Sequence, residues 1–190
     1  MFDIIVRKKI LREFVYMKIF GSLFLGLFLF TFASSDVFAQ NKKLTIILLR
    51  HAEKDLSGGA DNPDPVLSAE GEQRAQRLVR AIKKYKPRVI YSSNYQRTRA
   101  TVTPLAEKTV RGYRLPIQQY DHRKLDEFVS RLLASNAKTI VIAGHNTTTP
   151  ALANLLVKQN EYKALGESEY NKIWIIEIKK GKAKAKIVEY

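Results

Sequence analysis

Cysteine is absent from this 190-residue chain. Disulfides, thiolate nucleophiles, thiolate metal sites and lipid attachment through a thiol are therefore excluded. Histidine is scarce as well, confined to His51, His122 and His145. With no carboxylates clustered around them, the three histidines offer no metal-ligand spacing, and the expectation is a site that works with neither metal nor other cofactor. No Gly-x-Ser-x-Gly elbow occurs, so serine hydrolysis has no support. Internal repeats are missing too. Acidic residues are in deficit, 18 against 33 Lys and Arg, for a formal charge of +15. Such a balance favours anionic partners or surfaces and leaves the fold open. The lysines are scattered without interleaved aromatics, so nucleic acid is not an expected partner.

What is present begins with a segment unlike the rest. From Ile19 to Ala33 nearly every residue is apolar, Arg7, Lys8, Lys9, Arg12 and Lys18 lie upstream, and Val37-Phe38-Ala39 offers small residues where a signal peptidase reads. These features predict a signal peptide over residues 1–39, with Met17 as an alternative start, and a single domain over residues 40–190. The competing reading is an uncleaved anchor over residues 19–39, near the ~20 residues a membrane span needs. Ser34, Ser35 and Asp36 weigh against it. The expected location is thus periplasmic or secreted. Cleavage would remove five Lys/Arg and three Asp/Glu, leaving 28 against 15, so a charge of +13 belongs to the domain. That surface suits anionic envelope polymers, and no obligate protein partner is indicated.

From Lys43 onward, strand and helix patterns alternate, which predicts an α/β domain with a mostly parallel central sheet. The apolar run Leu44 to Leu49 reads as a buried parallel strand. A Gly, Asp and Pro-rich loop follows, then Ser68 as an N-cap and a helix with Ala75, Leu78, Val79 and Ile82 on one face, ended by Lys86-Pro87. Val89 to Tyr91 is a short strand, and Thr98 to Lys108 a helix in which Pro104 is expected near the start or at a kink. Leu115 to Tyr120 reads as a third strand, Leu125 to Ser135 as a helix with Leu125, Phe128, Val129, Leu132 and Leu133 inward, and Thr139 to Ala143 as a fourth strand. The next helix is expected over Ala151 to Lys158, Pro150 standing near its first turn. Ile173 to Ile178 and Ala183 to Val188 then form an antiparallel hairpin at the sheet edge, its lysines guarding that edge from other chains.

Three strands end in polar clusters: Arg50-His51, then Ser92-Ser93 leading to Arg97, then Gly144-His145-Asn146. The carboxyl ends of parallel strands share one sheet edge, where ligands bind. Taken alone, Arg50-His51 is no more than a polar strand cap. Together, Arg50, His51, Arg97 and His145 can converge on one pocket, and two forked guanidiniums beside a helix N-terminus match phosphoryl oxygens. Arg99, two places beyond Arg97, points to another helix face and reads as solvated. His122 reads as a loop residue. Thr147 to Thr149 read as helix-capping residues, and Ser93 as shaping the loop that presents Arg97.

These three segments resemble the motifs of the histidine phosphatase superfamily, small branch 1 type. Its strand followed by Arg-His-Gly/Ala is similar to Leu48-Leu49-Arg50-His51-Ala52-Glu53. Its Ser-x-x-x-Arg-[Ala/Thr]-x-x-Thr is similar to Ser93 through Thr101, and its apolar strand followed by Gly-His to Ile140 through His145. The resemblance implies a phosphoglycerate mutase-like three-layer sandwich and a phosphatase. It implies that His51 accepts the phosphoryl group as a phosphohistidine, while Arg50, Arg97 and His145 hold phosphoryl oxygens. Asn146 is counted among the substrate-binding residues. His51 must attack as neutral imidazole, whereas His145 serves as imidazolium or as a hydrogen-bond donor.

The chain departs from the family at the general acid. It lacks the acidic motif of the mutases, and Asn146 stands where the acid-phosphatase branch has Asp. Asp121 is the first alternative and Glu53 the second, each also readable as a structural carboxylate. Without an acid, compounds with good leaving groups would be favoured, such as phosphohistidine or acyl and aryl phosphates. The expected function is an exported phosphatase acting on a small phosphorylated substrate. The alternative from another class is a non-catalytic, basic anion-binding module of the cell envelope. Substrate choice would rest on the loops Asp55 to Pro65 and Lys158 to Ser168, both short enough to leave an open site.

Overall fold

The computed structural model describes residues 43–59, 62–107 and 114–190. The segment 1–39, with Met17 and the alternative anchor over 19–39, lies outside the described residues, as does Lys108. Strand β1 (Lys43–Arg50) is buried from Leu44 to Arg50, as its unbroken apolar run requires. Helix α1 (Ala69–Ile82) begins where predicted: the Ser68 hydroxyl accepts from the Gly71 N–H, and Glu70 and Glu72 lie in the first turn. A short 3-10 turn (Lys83–Tyr85) follows.

Strand β2 (Val89–Ser92), helix α2 (Gln96–Glu107), strand β3 (Ile117–Gln119) and helix α3 (Leu125–Ala134) come next. Strand β4 (Thr139–Gly144), helix α4 (Thr148–Val157) and the hairpin β5 (Lys172–Lys179) and β6 (Lys182–Glu189) complete the domain. The hairpin turn places Lys180 and Gly181 at φ 51° and 72°. Positive φ at both central residues matches the twist of the flanking strands.

The sheet order is β3-β2-β4-β1-β5-β6. Strands β3, β2, β4 and β1 pair in parallel, and β5 and β6 add an antiparallel edge. Along β1, Leu44, Ile46 and Leu48 join Phe128, Leu132, Leu152 and Leu156 on the face covered by α3 and α4. Ile47 and Leu49 join Leu78, Ile82, Val102 and Leu105 on the face covered by α1 and α2. This is the three-layer sandwich, with the period-two alternation of strand side chains feeding two cores.

The register delivers the site. Arg50 lies opposite Gly144, and Ala143 lies opposite both Leu49 and Ser92. Three strand ends therefore stop at one level.

Two expectations need correction. Pro104 sits inside α2, in its last turn, and not near its start. Leu133, expected inward, is 45% exposed, because α3 turns only Phe128 and Leu132 fully onto the sheet.

Candidate active site

Backbone bonds carry the ladder past the strand ends. The His51 N–H donates to the Gly144 carbonyl at 2.9 Å, and the Ser93 N–H to the Ala143 carbonyl at 3.3 Å. The Thr101 hydroxyl accepts from the Ala52 N–H at 2.9 Å and donates to the Arg97 carbonyl at 2.7 Å, which ties the first segment to the second. Thr149 Oγ1 donates to the Leu49 carbonyl at 3.1 Å, while Thr148 Oγ1 accepts from the His145 N–H at 3.0 Å. Thr148 and Thr149 thus hold strand ends together, and Thr147 at the N-cap makes no side-chain cap bond. The expected capping role is replaced by this bracing.

Gly144 has a steric reason. A Cβ there would stand 2.8 Å from Tyr120 Oη and 2.9 Å from Thr149 Oγ1. Only a residue without a side chain lets these hydroxyls close on the strand end.

His51 is buried, and its Nδ1 lies 2.7 Å from the Ala52 carbonyl. A carbonyl only accepts, so Nδ1 carries the proton and Nε2 keeps its lone pair. Burial, reinforced by the charges of Arg97, Arg50 and His145 against the bond to Ala52, pushes its pKa down to about 3. The His145 ring lies 5.6 Å from the His51 ring, and its Nε2 is 2.9 Å from Ser93 Oγ. Burial, followed by Arg97, His122 and Arg50, pushes His145 down to about 4. Of the two roles left open for His145, the neutral hydrogen-bonding one fits this environment.

Arg50 is 1% exposed. Its Nη1 donates to the carbonyls of Gly166, Glu167 and Glu169 at 2.7, 3.0 and 3.3 Å, and its Nη2 to Glu167 Oε2 at 3.3 Å. The guanidinium also stacks over Tyr170 at 4.1 Å. Arg97 donates to Asp64 Oδ1 at 3.2 Å and lies over the Tyr95 ring at 4.4 Å. Asp64 further accepts from the Gln96 N–H at 2.9 Å, so the N-terminus of α2 already holds a carboxylate of this chain. The Nε–H groups of Arg50 and Arg97 are buried and make no hydrogen bond within the protein. Asn146 stands at the rim, donating to Glu167 Oε1 at 3.1 Å.

The structure therefore brings Arg50, His51, Arg97 and His145 together, with Asn146 beside them. Glu53 is turned toward α1, paired with Arg74 at 2.6 Å. Burial would raise its pKa, but hydrogen bonds and charge from Arg74 outweigh burial and hold it below the ordinary value. Asp121 is held by Arg123 at 3.0 Å, and those hydrogen bonds pull it down to about 2. Both carboxyls expected to supply a proton are ionised and committed to arginines. Arg99 leaves the site, donating to Asn94 Oδ1 at 2.7 Å. The sequence reading did not identify Glu167, Asp64 or Tyr170, nor the direct bond from Ser93 to His145. Only Ser93 had a signal, its place at the head of the Ser-x-x-x-Arg segment.

The family model described as histidine phosphatase superfamily (branch 1) matches residues 46–122. Over that segment the chain resembles the histidine phosphatase superfamily. The matched residues include Arg50, His51 and Arg97, whereas His145 lies beyond the match and is brought beside Arg50 and His51 by the β1–β4 register. A mycobacterial glucosyl-3-phosphoglycerate phosphatase superposes with a TM-score of 0.61 at 16% identity, over 78% of this chain and 99% of that one. A protein of Agrobacterium tumefaciens, provisionally described as the phosphohistidine phosphatase SixA, gives 0.59 at 18%, over 77% and 98%. Phosphoglycerate mutase from Bacillus anthracis gives 0.60 at 13%, over 79% and 94%. At such identities the likeness carries the fold, which is phosphoglycerate mutase-like. No curated protein matches the chain. That match supports a phosphatase-type enzyme.

Proposed function

We propose that the chain is an exported phosphatase that hydrolyses small phosphomonoesters or related phosphoryl compounds through a phosphohistidine on His51. The observation that carries this reading is the state of His51: buried, neutral, with Nδ1–H given to Ala52 and Nε2 available for attack. As the P–Nε2 bond forms and the P–O bond breaks, Arg50, Arg97 and His145 oppose the charge on the equatorial oxygens. Water then attacks phosphorus, phosphate leaves, and the electron pair of the P–N bond returns to His51. An incoming phosphoryl group competes with Asp64 and Glu167 for the two guanidiniums. Their orphaned Nε–H groups favour an additional anionic acceptor. Export rests on the apolar segment and small-residue site ending at Ala39, and places the substrate among phosphoryl compounds outside the cytosol.

The test is to quench the domain during turnover of an aryl phosphate. The expected adduct is acid-labile and alkali-stable, and His51→Ala removes it and lowers phosphate release about a thousandfold or more. A panel of substrates yielding neither adduct nor phosphate would leave the non-catalytic anion-binding module as the reading.

A further inference from the structure

All three histidines of the chain meet at one edge of the sheet. The His122 ring lies 5.1 Å from the His145 ring and 5.7 Å from the Tyr95 ring, and Tyr95 itself lies 4.9 Å from His145. His122 opens onto a cavity of about 530 Å³ walled by Asn94, Tyr95, Gln119, Arg123 and Arg131. Its volume falls in the range of small-molecule sites.

Four carboxylates around the site are paired with arginines. Asp64 pairs with Arg97 at 3.2 Å, Glu167 with Arg50 at 3.3 Å, Asp121 with Arg123 at 3.0 Å and Glu53 with Arg74 at 2.6 Å. Asp121 and Glu53 are held below the ordinary carboxylate range by these arginines, so neither keeps a proton to give. The His122 imidazole, beside His145 and facing a cavity, is a group with proton-transfer chemistry.

We propose that His122 is the proton donor to the leaving oxygen and that the cavity beside it receives the leaving group. The proposal rests on the phosphatase reading and adds the step that reading lacks. As His51 Nε2 bonds to phosphorus, the electron pair of the breaking P–O bond passes to the leaving oxygen, which takes a ring proton from the His122 imidazolium. In the second half, neutral His122 accepts a proton from the water that attacks the phosphohistidine, and is restored. The groups facing this ring are Tyr95 from the loop before α2, Asp121 and Arg123 from its own loop, and His145 after β4. With a donor in place the enzyme reaches alkyl phosphates, and the restriction to good leaving groups is lifted.

The test compares the domain with His122→Asn and His122→Gln on dinitrophenyl phosphate, phenyl phosphate and an alkyl phosphate. The donor is needed least where the leaving group is a stable anion. Turnover by the variants is therefore expected to fall least on the dinitrophenyl ester and on the order of a hundredfold on the alkyl ester. An equal fall across the series, or none, overturns the assignment to His122. A parent domain that turns over no ester, the activated one included, overturns the phosphatase reading and this proposal with it.

Discussion

One hydroxyl at Ser93 serves two partners, lying 2.9 Å from His145 Nε2 and 3.0 Å from Thr98 Oγ1, all three groups being buried. Ser93→Ala strands the imidazole nitrogen where water cannot replace the bond. Leaving a buried polar group unpaired costs about 1–3 kcal/mol. The expected outcome is a lower thermal midpoint together with kcat reduced roughly ten- to a hundredfold, because His145 loses the bond that aims its ring. A loss confined to KM would mean that Ser93 does not position a group acting at the transition state. The same contact explains why a serine heads the Ser-x-x-x-Arg segment. Asp64 and Glu167 illustrate the opposite case. Each is one acid in a polar loop, and only the folding of residues 62–67 and 165–171 back over the sheet edge turns it toward Arg97 or Arg50. No local pattern signals such a contact.

Among the elements, those specified by burial were legible and those specified by tertiary hydrogen bonds were not. Strands β1 and β4 are apolar on both faces, and α1 carries both its N-cap and its periodic stripe. Strand β3 is shorter than its apolar pattern. The Leu115 N–H donates to Ala106 in α2 at 2.9 Å and Pro116 has no N–H, so pairing with β2 starts at Ile117. Helix α4 starts at Thr148, earlier than Pro150 suggested, because the hydroxyls of Thr148 and Thr149 are claimed by His145 and Leu49. The junction between β4 and α4 is consequently tight, and Gly144 is its narrowest point. Gly144→Ala is expected to push Tyr120 and Thr149 off the strand end, at a cost of about 1–3 kcal/mol for overpacking, and to displace His145. Adding Tyr120→Phe removes the nearer hydroxyl, and the double variant should recover part of both stability and phosphate release. A thermal-melt and activity cycle over the four proteins measures that coupling, and strict additivity would mean that the clash lies elsewhere.

For the whole domain, burying two imidazoles beside arginines makes folding depend on pH in a window set by His51 and His145. In the unfolded chain a histidine takes a proton near its ordinary 6.5, whereas in the fold His51 resists protonation down to about 3 and His145 to about 4. Between those limits the unfolded state binds more protons than the native state. Stability is therefore complete above about 6.5 and declines as pH falls, each ring contributing a slope of up to about 1.4 kcal/mol per pH unit. The depressed carboxylates act in a different window. Asp121, held at about 2, and Glu53, held below its ordinary value by Arg74, contribute stability that is intact above the ordinary carboxylate range and is lost only as pH drops through it. A decline between pH 6.5 and 5 is thus the signature of the imidazoles. Thermal midpoints followed by circular dichroism should hold level above pH 7 and fall through that interval, and replacing His51 and His145 together by Gln should flatten the fall. A parent domain with a level midpoint from pH 7 to 5 would show that neither ring is kept neutral by the fold, and would remove the basis for a neutral His51 at the end of β1.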